Sequence, residues 1–296
     1  MSDQTQFSLD KNLVRQSFDR AAETYDQAAV LQREVAQNLI ERLEFIKIEP
    51  QKILDVGAGT GHLTSLLNQR YKKTEVIALD LAHNMLMQAK THSSFITGLF
   101  KKRRYICGDA EYLPLNENGI DMIISNLTLQ WCNNLEQAFS EFYRVLKPGG
   151  LLLFTTFGPD TLRELRQSWK TVDSHIHVNA FIDMHDIGDA LLRCHFNDPV
   201  LDVENITVTY KDTYKLMRDL KSLGAHNVTS GRSHGLTGKG PIKKMIEQYE
   251  NFRKDGLLPA SHEVVHGHAW VPDNKSPIDK NTFTFPMKDI GRIPGK

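Results

Sequence analysis

Residues 52–61 read Lys52-Ile53-Leu54-Asp55-Val56-Gly57-Ala58-Gly59-Thr60-Gly61. The apolar run with Ile53 and Val56 predicts a short strand. Three glycines in five positions then allow a tight turn and a close approach of ligand to backbone. His62 to Tyr71 continue with helical spacing, so the turn delivers a helix N-terminus whose amides face that ligand. Strand, glycine turn and helix form the first half of a βαβ unit, and the rest of the chain must supply its parallel partners.

It does so on the C-terminal side. Strand candidates are 75–81, 103–109, 120–127 and 151–157, the last after a Pro148-Gly149-Gly150 turn. Helical patterns over 82–92 and 134–147 alternate with them, which predicts a mainly parallel α/β sheet with helices on both faces. Further on, 160–172 reads as a helix with Asp160 as N-cap, and 183–196 as another helix. Residues 200–210 alternate as a strand, 213–224 form a helix closed by Gly224, and a helix begins with Pro241 at its first position. On the N-terminal side, 11–47 carries two helices broken near Tyr25–Asp26. The organisation expected is an N-terminal helical segment 1–48, an α/β core 49–210, a helical cap 211–260, a last core strand 261–271 and a tail 272–296.

His262-Glu263-Val264-Val265-His266 matches the zinc-protease pattern HExxH. That pattern needs a helix, where positions i and i+4 share one face. Two β-branched residues, Gly267 and the following Ala-Trp-Val favour a strand instead, entered from a turn-like Leu-Pro-Ala-Ser. On a strand the two histidines stand ~13 Å apart and cannot share a metal. No metal site is expected, and the segment instead completes a seven-stranded sheet.

Bulk properties narrow the class. The 296 residues carry 36 basic and 36 acidic side chains and are 40% hydrophobic, so charge gives no argument for nucleic acid or membrane, and a sizeable core is affordable in composition. Cys107, Cys132 and Cys194 are scattered, with no CxxC, which fits a reducing compartment. The N-terminal stretch has neither a signal-peptide nor a transit-peptide pattern, so a cytoplasmic, monomeric protein is expected.

The glycine turn narrows the ligand. A dinucleotide fingerprint needs Gly at 62, where the sequence has His62, and a phosphate loop ending at Lys239 needs Gly at 233, where it has Ser233. Asp80, ending the second strand, suits a ribose diol, or alternatively caps the helix starting near Ala82. Asp55 holds the glycine loop or reaches a ligand amine.

Asp55-Val56-Gly57-Ala58-Gly59-Thr60-Gly61 resembles the first motif of class I S-adenosylmethionine methyltransferases. Residues 108–114, 125–132 and 144–157 resemble that superfamily's later motifs, in the same order. The resemblance implies a Rossmann-like fold and S-adenosylmethionine as cofactor. It implies cofactor contacts at Asp55, Gly57, Ala58, Gly59, Gly61, Asp80, Leu81 and Met85. It also implies that Asp109 accepts from the adenine amino group, with Ala110 offering its backbone, and that carbonyls of Asn126 and Leu127 lie near the methionine end.

The outer segments 18–39, 157–169, 183–192, 218–240 and 263–270 resemble the malonyl-acyl carrier protein O-methyltransferases of biotin synthesis. That likeness implies methylation of a malonyl carboxylate on an acyl carrier protein or on coenzyme A. A carboxylate is already ionised at neutral pH, so no general base is required and alignment is the main task. Candidate acceptor-binding residues are Gln32, Gln130, Trp131, His226, Arg232 and Lys239, with Tyr25 in the lid orienting the reactants. Arg232 would clamp the carboxylate, and Arg232, Lys239, Lys243, Lys244 and Arg253 would draw an acidic carrier. Rival readings are a complex I assembly factor of the same superfamily, a quinone methyltransferase, and a cofactor-binding scaffold without turnover.

Overall fold

The computed structural model describes residues 8–96, 104–225 and 238–275. Seven strands form one sheet: β1 (Lys52–Val56), β2 (Glu75–Asp80), β3 (Arg104–Cys107), β4 (Ile120–Ser125), β5 (Leu146–Phe157), β6 (Asn197–Tyr210) and β7 (Leu258–Trp270). Their order is β3-β2-β1-β4-β5-β7-β6, and only β7 runs antiparallel to its neighbours. The order reverses at β1, between β2 and β4, which puts the ligand crevice at the C-terminal ends of β1 and β4.

Alternation within the strands covers both faces. Leu54, Ile123, Leu152 and Phe154 point to one face, where Phe139, Phe142 and Tyr143 of α6 (Leu135–Val145) and Leu191 of α8 (Met184–Arg193) pack. Ile53, Met122, Ile124 and Leu153 point to the other, against Leu39 and Ile40 of α3 (Val30–Arg42) and Leu63 and Leu67 of α4 (His62–Arg70). Strands buried on both faces explain the near-continuous apolar runs in the sequence.

The fold departs from expectation at several boundaries. The N-terminal break holds a single turn, α2 (Tyr25–Ala28), between α1 (Lys11–Ala21) and α3. β5 starts at Leu146: Ile120 pairs with Leu146 and Met122 with Leu151, so the Pro-Gly-Gly residues bulge out of a continuing strand. Asp160 does not cap a helix. α7 spans Arg163–Lys170 behind Leu162, which is in the left-handed region at φ 54°. Asp160 instead donates its backbone N–H to Glu263 Oε2 at 2.7 Å, inside a turn tied to β7 by Gly158 N–H to Glu263 O and Leu162 N–H to Ser261 O. Pro241 sits third in α10 (Lys239–Tyr249), still in the first turn, where a missing N–H costs nothing.

The HEVVH stretch is strand, and β7 begins at Leu258, before the expected boundary at 261. Leu-Pro-Ala-Ser is therefore extended rather than a turn. Pro259 is tolerated because residues 258–263 pair only with β6, leaving its other edge free of ladder bonds. This overhanging β6–β7 ribbon carries α7, α9 (Thr213–Ser222) and α10, which share a separate apolar cluster of Leu165, Trp169, Leu216, Met245, Tyr249 and Leu258. Residues 226–237, with His226 and Arg232, and the tail from 276 lie outside the described residues. Among the described residues, no helix is long and apolar enough to cross a membrane.

Candidate active site

The glycine turn after β1 is held by its own backbone. The N–H groups of Gly57 and Ala58 both donate to Leu79 O, at 2.7 and 3.0 Å, which ties the turn to β2. Gly57 and Gly59 take φ of 75° and 53°. A side chain at Gly57 would collide with Thr128, whereas at Gly59 it would meet nothing within 4 Å. Gly57 is therefore needed for packing and Gly59 for open space. Gly61, at φ 86°, starts α4 against Ala89, and its role is helix packing.

Asp80 closes the turn from the β2 side. Its Oδ2 accepts from Gly59 N–H at 2.8 Å and its Oδ1 from Ala82 N–H at 2.8 Å. The capping alternative offered by the sequence is met, and it leaves the carboxylate open to a ligand as well. It anchors the start of α5 (His83–Ile96) and still faces the cavity with lone pairs to spare. Burial raises it to about 6. Asp55 lies fully buried behind the turn: Oδ2 accepts from the Thr64 hydroxyl, and Oδ1 has no hydrogen-bond partner among the described residues. Burial raises its carboxyl to about 7.

Gly57, Gly59 and Asp80 border a cavity of about 640 Å³, counting the open space at its mouth. Of the residues expected in contact with cofactor, Gly57, Gly59, Asp80, Leu81, Met85, Asp109, Ala110, Asn126 and Leu127 line it, as do Tyr25 and Trp131. Asp55, Ala58 and Gly61 stand behind the lining, and Ala58 packs on Ala78 and Leu86.

Three features were not read from the sequence. Lys11 of α1 reaches into the cavity and pairs with Asp109 Oδ1 at 2.9 Å and with Glu111. Phe18 meets Trp131 edge-on at 5.1 Å, so α1 closes the cavity from above. Cys132 also lines it, with burial pushing its thiol up to about 12, which makes it a wall and not a nucleophile. Lys11 carries no local signal, because its partner is 98 residues away in sequence.

After β4 the backbone is strained where it faces the cavity. Leu127 has φ 49°, held by bonds from its N–H to the carbonyl and hydroxyl of Thr155. The Asn126 carbonyl accepts from the Thr128 hydroxyl and the Leu127 carbonyl from Gln130 Nε2, so each offers a ligand only its second lone pair.

Beyond Trp131 a groove of about 2560 Å³, open to solvent, continues from the cavity. Gln32 and Gln130 line it, while Lys239 is exposed at the start of α10 and borders neither space. Lys211, Lys215, Arg218 and Lys221 stand on the groove's exposed side. Arg253 is not free to meet a partner: it pairs with Glu250 and donates to the carbonyls of Lys211 and Gly256.

An open backbone cradle at Gly59, a paired acid at the end of β2 and an orphaned acceptor on Asp55 fit a nucleoside that carries a cationic amino acid. The family model described as a methyltransferase domain matches residues 54–154. The YcgJ protein of Bacillus subtilis shares the fold, with a TM-score of 0.58 at 15% identity over 81% of this chain and 98% of that one. Fold and site define a class I, S-adenosylmethionine-dependent methyltransferase. A malonyl-[acyl-carrier protein] O-methyltransferase from Methylovorus sp. is 51% identical over 281 residues, 92% of this chain and 95% of its own. A second of that name, from Gallionella capsiferriformans, is 51% identical over 269 residues, 90% of this chain and 93% of its own. The chain belongs to the malonyl-[acyl-carrier protein] O-methyltransferase family.

Proposed function

We propose that the chain methylates the free carboxylate of a malonyl group carried as a thioester on an acyl carrier protein, an early step of biotin synthesis. The observation that carries this reading is the likeness to enzymes of that name over nearly the whole chain. Bound S-adenosylmethionine supplies an electrophilic methyl group on a sulfonium. The chain's own residues then have to bind, orient and exclude water.

Asp80 accepts from the ribose hydroxyls, and Asp109 from the adenine amino group beside Ala110, Leu81 and Met85. Gly57 and Gly59 admit the backbone side of the cofactor. Asp55 Oδ1 faces its amine, directly or through water, and the second lone pairs of the Asn126 and Leu127 carbonyls serve the methionine end. Trp131, shared by cavity and groove, marks where methyl donor and acceptor meet. No proton has to be removed from a carboxylate acceptor at neutral pH, so this chemistry requires no general base. Gln32 and Gln130 line the acceptor path, Arg232 remains the proposed carboxylate clamp, and His226 remains an acceptor-binding candidate. Exposed Lys211, Arg218 and Lys221, with Lys243 and Lys244 on α10, offer an acidic carrier a positive rim. The same reading takes the protein as a cytoplasmic monomer.

Purified protein with S-adenosylmethionine should add one methyl to malonyl-acyl carrier protein and none to the acetyl form, read by intact mass. Coenzyme A thioesters run alongside separate the two carriers. No mass gain under conditions where S-adenosylmethionine binding is confirmed would overturn the reading. Tyr25 is half-buried, and desolvation pushes its phenol well above the usual range, so it acts as a neutral hydroxyl at the cavity. Tyr25→Phe should lower kcat about tenfold with cofactor affinity kept. An unchanged kcat would reduce Tyr25 to packing.

A further inference from the structure

The HEVVH segment is only partly used by the fold. Glu263 ties down the 158–161 turn and His266 Nε2 meets Glu204 at 3.0 Å. His262 faces the groove, 7% exposed, with its ring 5.7 Å from Phe157, which in turn packs edge-on to Phe181 at 5.7 Å. Its Nδ1 lies 3.0 Å from the Ala260 carbonyl. That oxygen can only accept, so Nδ1 carries the proton and Nε2 keeps a lone pair. Burial pushes the imidazole down to about 4, so the ring is neutral near pH 7.

Asn179 is two residues before Phe181 and 8% exposed. It lines the same groove, and its Oδ1 has no hydrogen-bond partner among the described residues. Gln32 Oε1 is a second buried oxygen of the groove without a partner among the described residues. Gln32 adjoins the cofactor cavity, since its own carbonyl accepts from Asn126 Nδ2 at 3.0 Å. Trp131, Phe157, Phe181, Leu162, Leu165 and Trp169 supply apolar walls between these groups.

Lone pairs buried in such walls are costly unless something donates to them. A carboxylate cannot, because it is acceptor-only when ionised. A secondary amide can, and its apolar spacers suit the aromatic walls. We propose that this part of the groove binds an amide-containing arm of the acceptor, with Asn179 and His262 accepting from its N–H groups. They act as specificity residues for an amide-bearing thioester over a bare one. The inference rests on the reading that the acceptor is a malonyl thioester, and it leaves the malonyl carboxylate to the cofactor end of the groove.

The test uses two small acceptors, the malonyl thioesters of N-acetylcysteamine, which holds one secondary amide, and of ethanethiol, which holds none. Wild-type kcat/KM should favour the first by about tenfold or more. Asn179→Leu and His262→Phe should bring the amide-bearing probe down to the level of the other and leave the amide-free probe within about twofold. S-adenosylmethionine affinity, measured by calorimetry, serves as the folding control. Equal wild-type kcat/KM for the two probes overturns the proposal alone and needs no variant. A parallel loss on both probes in the variants means a merely structural role and also overturns it. Methylation of neither probe by the wild type, with cofactor bound, overturns the malonyl reading and the proposal with it.

Discussion

Replacing Asp80 with alanine is expected to weaken S-adenosylmethionine binding by at least about 100-fold, because two charge-assisted hydrogen bonds are worth about 1.5–3 kcal/mol each. The carboxylate already orders the turn by accepting from Gly59 and Ala82, and its remaining lone pairs face the cavity. Its loss removes the proposed ribose acceptor and the anchor of the Gly59 amide together. Calorimetric titration is the check, and a dissociation constant within about threefold of wild type would refute the assignment. The variant also separates enzyme from scaffold: an enzyme loses turnover, while a scaffold keeps its biological role.

The same carboxylate gives the binding a pH dependence whose sign can be worked out. In the ligand-free protein Asp80 is raised to about 6 and Asp55 to about 7, both by burial. Both lie above the ordinary carboxylate value, so the folded protein holds protons that the unfolded chain releases. Their contribution to stability is present below about pH 4 and is lost as the pH rises toward 7. A cationic cofactor favours the ionised forms. Its binding should therefore release protons and tighten between about pH 5.5 and 7.5, and this slope should flatten in Asp80→Ala. Affinity that is constant across that window would contradict the burial of these two acids.

Gly57→Ala and Gly59→Ala should fail differently, although the sequence presents them as equivalent members of one motif. At Gly57 the new methyl would stand 1.9 Å from Thr128 Oγ1, at φ 75°. Overpacking and backbone strain together should cost about 2–5 kcal/mol, a fall in Tm on the order of 10 °C. Thr128→Gly in the same chain should restore part of it, since the clash goes and the strain stays. At Gly59 nothing lies within 4 Å and φ is 53°. Stability should drop by only about 1–2 kcal/mol, while the methyl intrudes on the cavity and cofactor affinity falls. Equal Tm losses in the two variants would show that the cradle reading of Gly59 is wrong.

The legible part of this protein was local. Short apolar runs alternating with amphipathic stretches define the α/β sheet, because strands buried on both faces cannot alternate and helices on a sheet must. The turn after β1 and Asp80 at the end of β2 were readable for the same reason, since glycine spacing and strand ends are written within a few dozen residues. HEVVH was correctly read as strand from its β-branched pair and glycine.

What only the tertiary structure decided depends on contacts between distant segments. Lys11 joins Asp109, Phe18 meets Trp131, and Asp160 gives its N–H to Glu263 instead of capping α7. Gly61 and Gly59 sit two residues apart, yet one packs a helix and the other opens a cavity, because Ala89 comes from another element. His262 acquires its use only when β7 lies beside β5 and β6 and brings it to Phe157. Local propensity and period act through neighbours along the chain, and a pocket is made by neighbours in space, so the sequence by itself determined the frame and the cofactor turn while packing determined what each wall of the site presents.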